Sequence, residues 1–355
     1  MSQALASRAP SPEGNGSEKA VRVGQRSLAR RFLSRPEFGS LIGAVVVFCV
    51  FFTVAEPFRQ ASSLSTVLYA SSTIGLMAIA VALLMIGGEF DLSAGVAVIT
   101  SAITAGMFSY QFSTNVWVGA GAALLVSLGI GFVNGMLLIR TRVPSFLITL
   151  SMFLMLQGLN VAVTKLVTGS VATRNIADMD GFDSASFVFA AEFSIGGFNL
   201  RATVIWWLVF AAVGTWVLLR TRVGNWIYAI GGNKESARAV GVPVNKVKIG
   251  LFMTVGFMAW FVGMHMLFQY NTVQSGEGVG NELLYIMAAV VGGCLLTGGY
   301  GTVIGAVIGA FIYGMTKQGI VYAGWDNNWV MFFVGAMLLT AVLVNAWVRT
   351  QANKR

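Results

Sequence analysis

Apolar residues fall along this chain in long runs, separated by short segments rich in Gly, Ser, Asn and charged side chains. A helix that crosses a bilayer needs about 20 mostly apolar residues. Runs that meet this length lie near 40–57, 64–87, 92–112, 115–139, 144–165, 201–219, 247–269, 281–297, 301–322 and 329–348. The pattern predicts an all-α, polytopic membrane protein with about ten transmembrane helices. Two runs are weaker. The 64–87 run contains Ser71-Ser72-Thr73, and 281–297 is short. A short or polar-interrupted run can be kinked, or can line a cavity instead of facing lipid. The prolines agree with this division. Pro10, Pro12, Pro36, Pro57, Pro144 and Pro243 all fall in tails, in loops or at run ends, where a missing N–H does least harm.

Composition closes off the alternatives. Of 355 residues, 56% are hydrophobic and 10% charged, against about 25% charged in soluble domains. The chain cannot cover a water-facing surface, so neither a soluble globule nor a largely disordered protein fits. The net charge of +9 is then a matter of loop placement and not a sign of nucleic-acid binding. With both termini cytoplasmic, 18 of the 23 basic residues fall on the inner side. The positive-inside rule selects that orientation.

The expected organisation follows. Residues 1–39 form a cytoplasmic tail, disordered at first and then a basic juxtamembrane segment in which Arg22, Arg26 and Arg30 share a helix face. Residues 40–348 form the membrane domain, with an external loop at 166–200 and a large inner loop at 220–246. Residues 349–355 are a second inner tail. The 42 glycines exceed the usual share of about 7%. Gly301, Gly305 and Gly309 stand at the four-residue spacing that lets helix backbones approach closely in lipid. Cys49 and Cys294 sit in apolar runs and read as small buried hydrophobes. The single His265 has no Cys, Asp or Glu beside it, and reads as a packed, hydrogen-bonded side chain.

Three inner segments carry the functional signals. In the 220–246 loop, Asn233 is a good N-cap, Glu235 suits a first turn and Gly241 suits a left-handed C-terminal position ahead of Pro243. They bracket a helix of two turns, Lys234 to Val240. Ala237, Ala239 and Val240 offer an apolar face, and Lys234 and Arg238 a basic one. Such a helix is marginal alone but suits docking to a cytoplasmic partner. The second segment is Gly87-Gly88-Glu89-Phe90-Asp91-Leu92-Ser93-Ala94-Gly95, in which Asp91 or Ser93 can cap the next helix. No His, Cys or third carboxylate stands nearby for catalysis or a metal. The third, Gly292 to Gly301, echoes the second loosely.

GGEFDLSAG (87–95) resembles the GG-x-DLS-x-G signature of inner-membrane permeases from bacterial sugar ABC importers, the ribose-type family. NGMLLIRTRVPSFLITL (134–150), the 220–248 segment and VVGGCLLTGGYGTVIGAVIGA (290–310) match that family in order. The likeness covers roughly 65–348. The two-residue Glu89-Phe90 stands where Ile is commonest, and Ala94 where Val is usual. The resemblance implies a permease that dimerises with a second copy or a related permease. It implies ATPase subunits on the inside and a periplasmic substrate-binding protein outside, with the 224–248 loop as the coupling loop. Gly232, Asn233, Lys234, Glu235, Ala237, Arg238, Val240 and Gly241 would form that coupling element. Gly87, Gly88, Asp91, Leu92, Ser93 and Gly95 form the signature.

The chain has no GxxxxGK[ST] phosphate loop and so no ATP site of that type. It is expected to be no enzyme and to need no cofactor of its own. Uncharged polar residues inside the runs are candidates for a path taken by a neutral polyol: Ser71, Ser72, Thr73, Asn134, Thr149, Ser151, Gln157, Asn160 and Gln269. They suit interhelical hydrogen bonds equally. The alternatives are a stand-alone carrier or facilitator, and a permease for a non-sugar substrate.

Overall fold

The computed structural model describes residues 36–195 and 198–353. The tail expected over 1–39 therefore lies, up to residue 35, outside the described residues, as do residues 354–355. Each apolar run becomes a helix, in order: α1 (Pro36–Val54), α2 (Ala61–Ile86), α3 (Ala94–Gln111), α4 (Val116–Thr141) and α5 (Ser145–Thr168). A short helix α6 (Phe182–Phe189) and an antiparallel hairpin, β1 (Glu192–Ile195) and β2 (Phe198–Arg201), precede α7 (Ala202–Arg220). Then come α8 (Arg222–Gly232), α9 (Lys234–Ala239), α10 (Val244–Tyr270), α11 (Asn281–Val291), α12 (Val303–Tyr322) and α13 (Trp329–Asn353). The fold is mostly helical, with the small hairpin as an addition the apolar pattern did not predict.

Among the described residues seven helices, α1, α2, α4, α5, α7, α10 and α12, are long and apolar enough to cross a membrane. Two of the other three runs, those of α3 and α11, depart from expectation for physical reasons. α3 has 18 residues, but its polar positions dilute its hydropathy. Thr100 and Thr104 bond back to the carbonyls of Val96 and Thr100, which lets a buried helix carry them. α11 has 11 residues and rises about 16 Å, roughly half of a ~30 Å hydrocarbon core. It stops at Gly292, so the predicted 281–297 run is not a span by itself. In α13, the described apolar stretch is Trp329–Val344.

Similar hydropathy hides different roles. α2 and α1 are almost equally apolar, yet 83% of the α2 window is buried inside the protein and only 17% of the α1 window. α2 is the central post, packed against α7, α10, α11 and α12. α10 and α12 are also largely enclosed, while α1, α4, α5 and α7 turn large apolar side chains outward. Cys49, on the outward α1, is exposed; Cys294 is buried. Gly305 and Gly309 act as the spacing suggests. A Cβ on either would overlap a backbone carbonyl of α11, at Gly292 or Ala288.

The 166–200 segment is folded over one end of the body. Phe189 of α6 inserts among Trp117, Trp260, Phe261 and Phe268, stacked on Phe268 with ring centroids 5.8 Å apart. Val171, Thr173 and Ile176 bond to backbone near Asn271–Ser275. This is the hairpin end; the loops at 87–93, 220–243 and 292–302 meet at the other.

Candidate functional site

The opposite end is organised by two similar turns. At the end of α2, Gly87 N–H donates to Leu83 O (3.1 Å), Gly88 N–H to Met85 O (2.9 Å) and Glu89 N–H to Leu84 O (3.2 Å). At the end of α11, Gly292, Gly293 and Cys294 donate to Ala288 O (3.0 Å), Val290 O (2.9 Å) and Ala289 O (3.0 Å). The offsets are identical. Gly88 and Gly293 both take a positive φ, 82° and 94°, where a side chain is strained. The loose echo in sequence is thus a repeated helix-stopping turn.

The first turn then enters the signature loop, which is fastened to two helices. Phe90 N–H donates to Ser145 Oγ (3.1 Å) and Leu92 N–H to Thr149 Oγ1 (3.1 Å), both on α5. Asp91 Oδ1 accepts from Ser93 N–H (2.8 Å) and Ser93 Oγ–H (2.6 Å). Asn134 Nδ2 on α4 donates to Ser93 Oγ (3.0 Å). Burial pushes the Asp91 carboxyl above the usual carboxylate range, partly offset by these donors. Asp91 therefore holds the entrance to α3 through Ser93, and neither side chain caps the helix N–H groups as the sequence suggested. Glu89 reaches Lys248 at the start of α10. The pair is largely buried, with side chains 11% and 10% exposed.

The inner loop brings two helices to this floor. α8 was not foreseen: Thr221 Oγ1 accepts from Gly224 N–H (3.3 Å), and Ile227 and Ile230 face inward. α9 is the expected element. Asn233 Oδ1 accepts from Glu235 N–H (3.0 Å) and Ser236 N–H (2.9 Å), and Gly241 takes φ +85°. The helix proper is Lys234–Ala239, with Val240 as its C-cap. Its apolar face divides: Ala237 is buried against the body and Val240 is 80% exposed.

Glycine backbone is the meeting point of all three segments. Gly299 N–H donates to Ile86 O (2.8 Å). Ideal Cβ atoms on Gly231 and Gly298 would strike Ile86 O and the Gly88 Cα respectively. Three Gly-Gly pairs, 87–88, 231–232 and 298–299, thus touch backbone to backbone, immediately before α9. Beside them lies a polar cavity of about 700 Å³ lined by Glu89, Lys248, Arg142, Lys234, Glu235 and Arg238.

The candidate path residues disperse. Asn134 and Thr149 hold the signature loop, as above. Ser71 and Ser72 are buried and bond to Val67 O and Tyr69 O of their own helix. Thr73 is half-buried and bonds to Ala70 O. Asn160 Nδ2 donates to Val96 O (3.4 Å) across to α3. Ser151 is exposed and bonded to Leu147 O. Gln157 and Gln269 are half-buried. His265 is buried between Phe189 O (2.8 Å) and Tyr69 Oη (3.1 Å), the packed role expected of it.

A buried central post inside a shell of outward-facing apolar side chains marks a multi-pass membrane protein. The family described as "Branched-chain amino acid transport system / permease component" matches residues 63–342. The ribose import permease of Escherichia coli K12 is 30% identical over 91% of this chain and 97% of its own length. The fructose import permease of Rhizobium meliloti is 27% identical over 83% and 81%. The L-arabinose ABC transporter permease of Azospirillum brasilense is 27% identical over 99% and 98%. No solved structure matches the chain. The chain belongs to this permease family, within its sugar ABC importer branch of the ribose type. It is a multi-pass protein of the inner membrane. Its relatives are permease subunits, not enzymes.

Proposed function

We propose that this chain is the membrane subunit of an ATP-driven importer that takes a monosaccharide or related polyol from a periplasmic binding protein into the cytoplasm. The observation that carries the reading is the floor: a capped, basic two-turn helix, α9, presented directly beside the backbone junction of α2, α8 and the 298–299 turn. Movement of α9 would pass through Gly231 and Gly232 to the end of the central post without a flexible side chain between. In this reading both termini and α9 are cytoplasmic, and α9 docks on one of two separate ATPase subunits. A second permease copy, or a related chain, completes the complex. The permease needs no cofactor; ATP belongs to the ATPase. Residues of the signature loop hold α3 and α5 to the moving floor, so their role is positional.

The test is uptake into vesicles holding the chain with its ATPase and binding protein. ATP-dependent accumulation of a neutral monosaccharide is the expected result. Equal uptake by the chain alone would make it a facilitator. Accumulation of a branched-chain amino acid in place of sugar would assign it the substrate class in the family's description.

A further inference from the structure

The first turn of α10 borders two cavities. Asn245 and Lys248 line the polar one of the floor, while Lys246 and Val247 line a second, apolar one of about 680 Å³. That volume is in the ~300–1,000 Å³ range of ligand sites. α7 and α10 both pack on α2, and the cavity is the gap between them. Ile79 and Leu83 of α2 form its back, Val213 and Val217 of α7 one side, and Leu251 and Phe257 of α10 the other. Small residues keep it open, among them Gly250, where a Cβ would meet nothing within 4 Å. Val213 is 50% exposed and Gly250 is exposed, so the gap opens on the outward surface of the bundle.

Length and polar groups identify the occupant. Along α10 the lining runs from Lys246 to Phe257, a helix rise of about 16 Å. That is the depth of one leaflet of a ~30 Å hydrocarbon core. The lining side chains with a hydrogen-bond donor are Thr254, Trp226 and Lys246. Thr254 satisfies its own on Gly250 O (2.8 Å). The Lys246 ammonium and the Trp226 indole N–H have no hydrogen-bond or ion-pair partner among the described residues. Both belong to the floor end, Lys246 in the first turn of α10 and Trp226 in α8. Arg222, next to the lining Val223, is exposed and equally unpaired. An apolar slot one leaflet deep, with a free cation and an indole at its mouth, is complementary to a phospholipid tail and its phosphate.

We infer that this cavity is a binding site for an anionic phospholipid of the floor-side leaflet, with its acyl chain between α7 and α10 and its phosphate on Lys246. The second free cation, Arg222, favours a headgroup of net negative charge over a zwitterionic one. The lipid touches α2, α7, α8 and α10 at once. Because α8 and α10 flank α9 on either side in the chain, it steadies both flanks of α9 against the central post. That consequence for coupling rests on the importer reading above; the site itself does not.

The test is lipid retention by the purified full-length chain in detergent, offered phosphatidylglycerol or phosphatidylcholine and read by native mass spectrometry. Gly250→Leu fills the slot from an open position, and Leu is the better helix former, so the fold tolerates it. Lys246→Gln removes the cation. Gly121→Leu is the control, since Gly121 is equally open on α4 and lines no part of this cavity. Wild type and Gly121→Leu are expected to retain phosphatidylglycerol in preference to phosphatidylcholine. Lys246→Gln should hold it about fivefold more weakly, the worth of one cation at an anionic surface, and Gly250→Leu should hold neither lipid. Wild-type retention in either Lys246→Gln or Gly250→Leu would overturn the site, as would equal retention of the two lipids by the wild type. A second copy covering the cavity would instead give a detergent-stable dimer that retains no lipid and that Gly250→Leu dissociates; that result also overturns the lipid. In the reconstituted importer, wild-type uptake should be faster in phosphatidylglycerol vesicles than in phosphatidylcholine ones, and uptake by Gly250→Leu the same in both. If the wild type imports no sugar in either, the importer reading fails, and retention still decides the site.

Discussion

Gly231→Ala separates two opposite expectations for one methyl group. Gly231 sits in the last turn of α8, and by helix propensity alone alanine there is stabilising by about 1 kcal/mol. The structure reverses the sign. The new Cβ would lie inside the van der Waals envelope of Ile86 O and against Gly299 N, the two atoms already joined by a 2.8 Å hydrogen bond. Both obstacles are backbone, so no rotamer change relieves the overlap. Overpacking of this kind costs about 1–3 kcal/mol, and loss of the Gly299–Ile86 bond adds about 1 kcal/mol. Gly232, its neighbour, has open space where a Cβ would go and keeps the propensity gain. The assay is apparent Tm of the purified protein with ATP-driven uptake by the reconstituted complex. Gly231→Ala is expected to melt several degrees lower and to lose most uptake, with Gly232→Ala at or above wild type in stability. Equal behaviour of the two variants would refute the backbone junction, and with it the argument that α9 is coupled to α2 through the end of α8.

The buried Glu89–Lys248 pair makes a second stability test. Lys248→Met leaves a buried carboxylate unpaired and should cost about 3–5 kcal/mol, while Lys248→Met with Glu89→Leu should recover most of it; apparent Tm of the three proteins decides. Asn233→Ala removes the acceptor for two N–H groups of α9 and should cost about 1 kcal/mol of cap, read as weaker co-purification with the ATPase at unchanged membrane insertion. Burial raises the Asp91 carboxyl, so the fold favours its protonated form. That contribution is full below the ordinary carboxylate pKa and is lost as pH rises through the raised folded value. Asp91→Asn keeps the Oδ1 acceptor and removes the charge, so its apparent Tm should fall less than wild type as pH rises from the ordinary carboxylate pKa through the raised folded value; parallel curves would show that Asp91 carries no such cost.

Helix positions were legible because twenty-residue apolar runs have few other uses. What the runs could not reveal was neighbourhood. α1 and α2 read alike, yet one lies at the periphery and the other at the centre, since lipid and protein interior reward the same side chains. α11 shows the opposite failure. Its apolar character continued past Val291 through Cys294, Leu295 and Leu296, so hydropathy extended the run, but the Gly292-Gly293 turn ends the helix. The Gly-Gly pair was the better signal, and its counterpart at Gly87-Gly88 does the same work.

The site divides along the same line. α9 was readable because a cap is local: Asn233, Glu235 and Gly241 act within a stretch of nine residues. The contacts that make α9 consequential are not local. Gly231 meets Ile86 and Gly299, and Glu89 meets Lys248, across separations that no single spacing encodes. The path residues failed to gather for a related reason. A lone Ser or Thr on a membrane helix can always satisfy itself on its own i−4 or i−3 carbonyl, as Ser71, Ser72, Thr73 and Ser151 do. Polarity inside a run therefore says little until its face is known. Of the Ser71-Ser72-Thr73 trio only Thr73 is half-buried, so even three consecutive polar residues divide between a closed and a more open face of one helix.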